Sequence, residues 1–238
     1  KITNADLIFM VGANFENLSL QKLFVNASDT HATQVRDLSE SVNLLEYGNH
    51  DDEDEHSDDG HGAFDPHYWV DPVIAESLIK EISHTLIQFS PQYREDYQRN
   101  AENYILELRQ IHTWISNQVK QIPEGQSVLI TTHDSLQYFA NRYGFEVLGT
   151  VIPDVTTEKE VAPADVKEII DIIKQHKIPA IFADINEKNV IAEMISRETG
   201  AVFVGNLRIG SLGISGTQTE TYLDLMKANV QTIVEALT

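Results

Sequence analysis

Apolar positions recur along this chain with two spacings. Short continuous runs bounded by Gly or Pro predict strands, and steps of three and four predict helices. Residues 5–11, ADLIFMV, read as a strand ending at Gly12. Residues 14–25, with Leu18, Leu20, Leu23 and Phe24, read as a short helix, and residues 34–38 as a second strand. Val42, Leu44 and Leu45 anchor the stretch 39–47. Residues 75–89 carry Leu78, Ile79, Ile82, Leu86 and Phe89 at helical spacing, with His84 on the opposite, solvated face.

The longest periodic element follows Pro91. Its stripe is Tyr93, Tyr97, Ala101, Tyr104, Leu108, Ile111, Ile115, Val119 and Ile122, with no Gly or Pro before Pro123. A helix of that length reaches ~45 Å at 1.5 Å per residue, more than the width of a small lobe. It is expected to run between two lobes. His112 and Trp114 flank the stripe and read as packed or exposed side chains.

Beyond it, strands and helices alternate. Strands are predicted at 127–131, 145–152, 180–183 and 201–204, and helices at 135–143, 163–176, 189–199 and 217–237. Gly144 and Gly200 close two of the helices, and Pro163 opens a third. Such alternation gives an α/β fold of parallel strands with crossover helices. The expected organisation is a partial N-terminal α/β lobe over 1–90, a long linking helix over 91–122 and a C-terminal α/β lobe over 123–238. The chain opens on Lys1 with no signal-peptide pattern and is already in a strand at residue 5, which reads as a processed or truncated chain with an incomplete first lobe.

Charge changes the picture. Seventeen basic and 37 acidic residues leave a net charge of −20. The stretch 50–61, HDDEDEHSDDGH, holds three His and seven acids and no Lys or Arg, and without those seven the balance is still −13. Such a chain repels nucleic acid and anionic lipid and attracts cations, although solubility alone is the blander reading. The acidic stretch, set in a loop over 48–63, has too few apolar residues to fold alone. It is either a solvated insertion or a weak metal collector using His50, His56 and His61, and both can hold. Cysteine is absent, so a metal site must use His and carboxylates.

Two histidines stand at element ends. His67 lies in DPHYWVDP, where Pro66 limits the backbone and Trp69 fills space. His133 follows the strand SVLIT directly, at the carboxyl end where ligands of parallel sheets sit. His133 is a ligand or a cap of the next helix, with Thr132 or Asp134 able to orient its ring. Asp184 ends the strand PAIFAD and is a ligand, an outer acceptor or a helix cap, the last two being favoured. Taken singly, a histidine such as His67 is more often simply packed. Two of them in an acidic, cysteine-free chain favour a joint ligand reading, for zinc or, with added carboxylates, manganese. The patterns HExxH, GxSxG, GxxxxGK[ST] and GxGxxG are all missing.

ADLIFMVGANFE, the acidic His-rich loop, DPHYWVDP, TTHDSLQYFANRYGF, PAIFAD and GTQTETYLDLMKANV together resemble the zinc/manganese-type solute-binding proteins of bacterial ABC metal importers, across the whole chain. The loop resembles the zinc branch. The resemblance implies two α/β lobes joined by one long rigid helix, metal held between the lobes, and His67 and His133 as ligands. It also implies a first His ligand upstream of ADLIFMV, which this sequence does not contain, so metal binding is expected to be weakened. Where such proteins often carry an Asp, NLRIGSLG places Gly210.

The expected function is a zinc receptor, periplasmic or lipid-anchored on the outer face of the cytoplasmic membrane. It would deliver Zn²⁺ to an ABC permease as a monomer and perform no chemistry. The alternatives are a manganese receptor of the same family and a surface adhesin on this scaffold. A zinc hydrolase would need an open coordination position and a base such as Asp134 or Asp184.

Overall fold

The computed structural model describes residues 2–31, 33–46, 64–152, 161–187 and 189–238. The chain divides into two compact units, Lys1–Trp69 with Val73–Leu106, and Val70–Pro72 with Glu107–Thr238. No described helix is long and apolar enough to cross a membrane.

In the first unit, β1 (Leu7–Met10) pairs in parallel with β2 (Gln34–Asp37), Leu7 opposite Gln34 and Met10 opposite Asp37. Between them runs α1 (Leu18–His31). The helix expected from residue 14 starts four residues later, because Ala13 and Asn14 take positive φ of 49° and 60°. Asn17 then caps the first turn, its side-chain oxygen accepting the Leu20 amide at 2.9 Å.

After β2 the chain is described to Glu46 and again from Phe64, which bridges back to Glu46 in antiparallel sense, and the Asp65 amide donates to the Leu45 carbonyl at 2.8 Å. Helix α2 (Pro72–Phe89) follows. Its buried face is shifted from the expected one: Ile87 is 9% exposed and Phe89 38%. Phe89 is the last residue of the helix. His84 is exposed and lies 2.8 Å from the Gln88 side-chain amide along its own helix.

The long helix α3 spans Arg94–Val119, 26 residues, or ~39 Å. Pro91–Tyr93 forms a separate 3₁₀ turn ahead of it, so the helix is shorter at both ends than its apolar stripe. Leu108, Ile111 and Ile115 are its buried residues, and the division between the two units falls within it, at Leu106/Glu107.

The second unit carries a four-stranded, wholly parallel sheet in the order β4-β3-β5-β6: β3 (Val128–Thr131), β4 (Glu146–Thr150), β5 (Ala180–Asp184) and β6 (Val202–Leu207). Every residue of β5 is buried, as a central parallel strand covered on both faces requires. Helices α4 (Gln137–Tyr143), α5 (Pro163–His176) and α6 (Val190–Thr199) fall close to where the periodicity places them. Ile169, Ile170 and Ile173 of α5 and Ile195 of α6 close on Ile130 and Ile181 of the sheet. The last helix, α7 (Tyr222–Leu237), starts five residues later than expected. Thr221 caps it by accepting the Asp224 amide at 3.2 Å, and the preceding residues form a loop pinned by Gly213 to the Thr219 carbonyl.

Candidate metal centre

His67 is held from two directions. Asp65, wholly buried, accepts the His67 amide at 2.8 Å and lies 2.7 Å from its Nδ1 through the same oxygen. A carboxylate only accepts, so Nδ1 is the ring nitrogen that carries a hydrogen, and the tautomer protonated there has its lone pair on Nε2. That is how a carboxylate fixes a histidine for a metal. On the other side, Trp69 lies 5.4 Å from the imidazole centroid and Phe15 meets Trp69 edge-on at 5.0 Å. Tyr68, 1% exposed, donates its hydroxyl to the Val11 carbonyl. The turn receiving it is built on Glu16, which accepts the Val11 and Gly12 amides at 2.6 and 3.0 Å. The mount therefore stands on the loop that leaves β1. Asp71, 2% exposed, accepts from Arg142 Nε at 2.7 Å, which balances a buried charge.

His133 stands at the carboxyl end of β3, half-buried. Its Nδ1 is in ion-pair contact with Glu187, whose other oxygen accepts the Thr132 hydroxyl. The cap position of α4 is Leu136, which makes no side-chain cap bond. Thr132 reaches the imidazole through Glu187, and Asp134 is half-buried beside it in sequence. Sequence reading missed Glu187. Its signal is placement, since it lies in the turn leaving β5, and β5 is the strand beside β3.

Asp184 has a different employment. One oxygen accepts the Asn186 amide and side chain at 2.8 and 2.9 Å, and the other accepts the Ile209 and Gly210 amides at 2.6 and 3.2 Å. Four donors tie its carboxylate into the junction of the β5 and β6 loops. Gly210 is exposed, and a Cβ built there would meet nothing within 4 Å. His50, His56 and His61 lie outside the described residues. Among the described residues no three His, Asp or Glu side chains gather as a metal cluster; the structure instead pairs each candidate histidine with one carboxylate.

A parallel α/β chain with a long helix and two carboxylate-held imidazoles has the make-up of a metal receptor. The family model described as zinc-uptake complex component A, periplasmic (ZnuA), matches residues 1–236, and the chain belongs to that family. It is 29% identical over 236 residues to the manganese-binding lipoprotein MntA of Halalkalibacterium halodurans, covering 99% of this chain and 73% of that protein. It is 28% identical over 235 residues to the iron-binding protein YfeA of Yersinia pestis, covering 99% and 71%. The solved periplasmic zinc-binding protein TroA of Treponema pallidum superimposes with a TM-score of 0.84 at 26% identity, covering all of this chain and 82% of that one.

The chain is thus a metal-binding substrate receptor of an ABC importer and not an enzyme. It works on the outer face of the membrane, periplasmic or lipid-anchored, with the importer's permease and ATPase as partners.

Proposed function

We propose that the cargo is Zn²⁺ and that His67 and His133 are ligands, working in a monomeric receptor. The observation that carries this is the carboxylate held against each imidazole, Asp65 on His67 and Glu187 on His133. Both rings are thereby set to offer Nε2, and paired imidazole donors in a cysteine-free chain suit zinc. The metal is carried and released unchanged, so the ligands act only by affinity and geometry. Manganese is the second reading, favoured by the manganese-binding relative and by the carboxylates beside both histidines.

Zinc titration of His133→Ala against a variant lacking residues 48–63 separates the primary site from the acidic loop. His133→Ala is expected to lose more than the roughly 10–100-fold that removal of an outer partner costs. Loss of 48–63 is expected to leave the affinity within a few-fold. The reverse ranking would place the primary site in the loop and remove His133 from it.

A further inference from the structure

The geometry points to Glu187 as the positioning residue that makes His133 a donor through Nε2. This rests on the reading of His133 as a ligand, and it adds the device that sets the ring.

Both ends of the device are fixed. Thr132 is 2% exposed and stitched into the sheet: its amide donates to the Phe182 carbonyl at 2.9 Å, and its carbonyl accepts the Ile152 amide at 2.9 Å. Its hydroxyl holds one oxygen of Glu187. Glu187 itself sits in a turn, its amide donating to the Asp184 carbonyl at 3.1 Å. That turn is fastened in its own right, because Asp184 accepts from Asn186, Ile209 and Gly210. The second oxygen of Glu187 therefore reaches His133 Nδ1 from a rigid base rather than from a loose side chain.

The consequence for the ring is chemical. A carboxylate oxygen and an unprotonated Nδ1 would set lone pair against lone pair, so contact between them requires the hydrogen on Nδ1. A neutral imidazole left to itself prefers the opposite tautomer, with the hydrogen on Nε2. Glu187 reverses that preference and directs the lone pair to Nε2. Its negative charge, relayed through the imidazole, also favours a dication at Nε2. One oxygen of Glu187 is held by the Thr132 hydroxyl, and the other is buried against His133 Nδ1 with no hydrogen-bond donor of its own among the described residues, which places it to receive the ring hydrogen.

The test has two arms. In the metal-free full chain, above the imidazole pKa, long-range ¹⁵N NMR of the His133 ring reads the tautomer. The wild type is expected to show Nδ1–H, and Glu187→Ala to revert toward Nε2–H. In zinc titrations Glu187→Ala is expected to lose about 10–100-fold in affinity. Glu187→Gln, whose amide oxygen still accepts from Nδ1, is expected to recover part of that loss. In a His133→Ala background Glu187→Ala is expected to add nothing further, as a residue acting only through His133 must.

An Nδ1–H ring that persists in Glu187→Ala would overturn the inference. So would an undiminished effect of Glu187→Ala in the His133→Ala background, because Glu187 would then touch the ion itself. If His133→Ala leaves zinc affinity intact, the ligand reading fails, while the metal-free tautomer still decides whether Glu187 sets the ring.

Discussion

Asp71, Arg142, Tyr143 and His112 show how a single buried charge spreads its effects. Arg142 answers the Asp71 carboxylate at 2.7 Å, and the Tyr143 hydroxyl lies 3.1 Å from His112 Nδ1. Burial first, and the Asp71 charge second, push Tyr143 ionisation well above its ordinary value, with Arg142 opposing. The folded pKa is raised, so the folded protein holds its proton where the unfolded chain releases it. The associated stability is whole below the ordinary tyrosine value of about 10 and is lost as pH rises from there toward the folded value. Urea unfolding across alkaline pH is expected to show stability falling above about pH 10, and Tyr143→Phe to flatten that fall. An unchanged slope in the variant would assign the alkaline loss to other groups. Nothing in the sequence marks His112 and Tyr143 as a pair; they stand 31 residues apart, on α3 and α4, and meet only in the fold.

At the scale of elements, the turn that leaves β1 governs the His67 mount. Gly12 has φ of 77°, and a Cβ there would fall 1.7 Å from Asp37 Oδ1 and 2.5 Å from Ser39 Oγ. Asp37 cannot simply swing away, since it accepts the Ser39 amide and hydroxyl at 2.9 and 2.6 Å. Left-handed backbone costs a non-glycine residue about 1–2 kcal/mol before any clash. Gly12→Ala is therefore expected to lose at least ~2 kcal/mol. The measurement is a lower denaturant midpoint at unchanged slope. Because Tyr68 bonds the Val11 carbonyl, zinc affinity is expected to fall as well. The same turn explains where pattern reading slipped. Apolar spacing from residue 14 onward satisfies a helix, but Ala13 and Asn14 are left-handed, so α1 waits for Leu18. The start of α7 slipped for a like reason, the true cap being Thr221. Interiors such as α5 and β5 were legible because burial on a fixed period leaves its mark in composition. Termini were not, because they depend on single side chains closing single hydrogen bonds.

Across the whole molecule, the candidate site divides along the same line. His67 and His133 were legible because each sits at an element end with its own local motif. Glu187 was not, because its role depends on β5 lying next to β3, and strand order is not written in any one segment. The cargo ion is the property left to measurement. A ligand present at a thousand times its Kd stabilises the folded state by ~4.1 kcal/mol, which in a chain of this size raises the apparent Tm by roughly 8–16 °C. Zinc is expected to produce such a shift. That alone decides little, since almost any site of nitrogen and oxygen donors prefers zinc to manganese. The discriminating quantity is the manganese shift at the same ion concentration. Imidazoles presenting Nε2 predict a manganese shift of no more than about 2 °C. A manganese shift approaching that of zinc would mean that carboxylate oxygens complete the site, and the manganese reading would stand. A net charge of −20 gathers cations without a site, so calcium and magnesium must leave the melting curve in place for either shift to count. The variant lacking residues 48–63 must then reproduce the zinc shift, which ties the stabilisation to residues outside the acidic stretch.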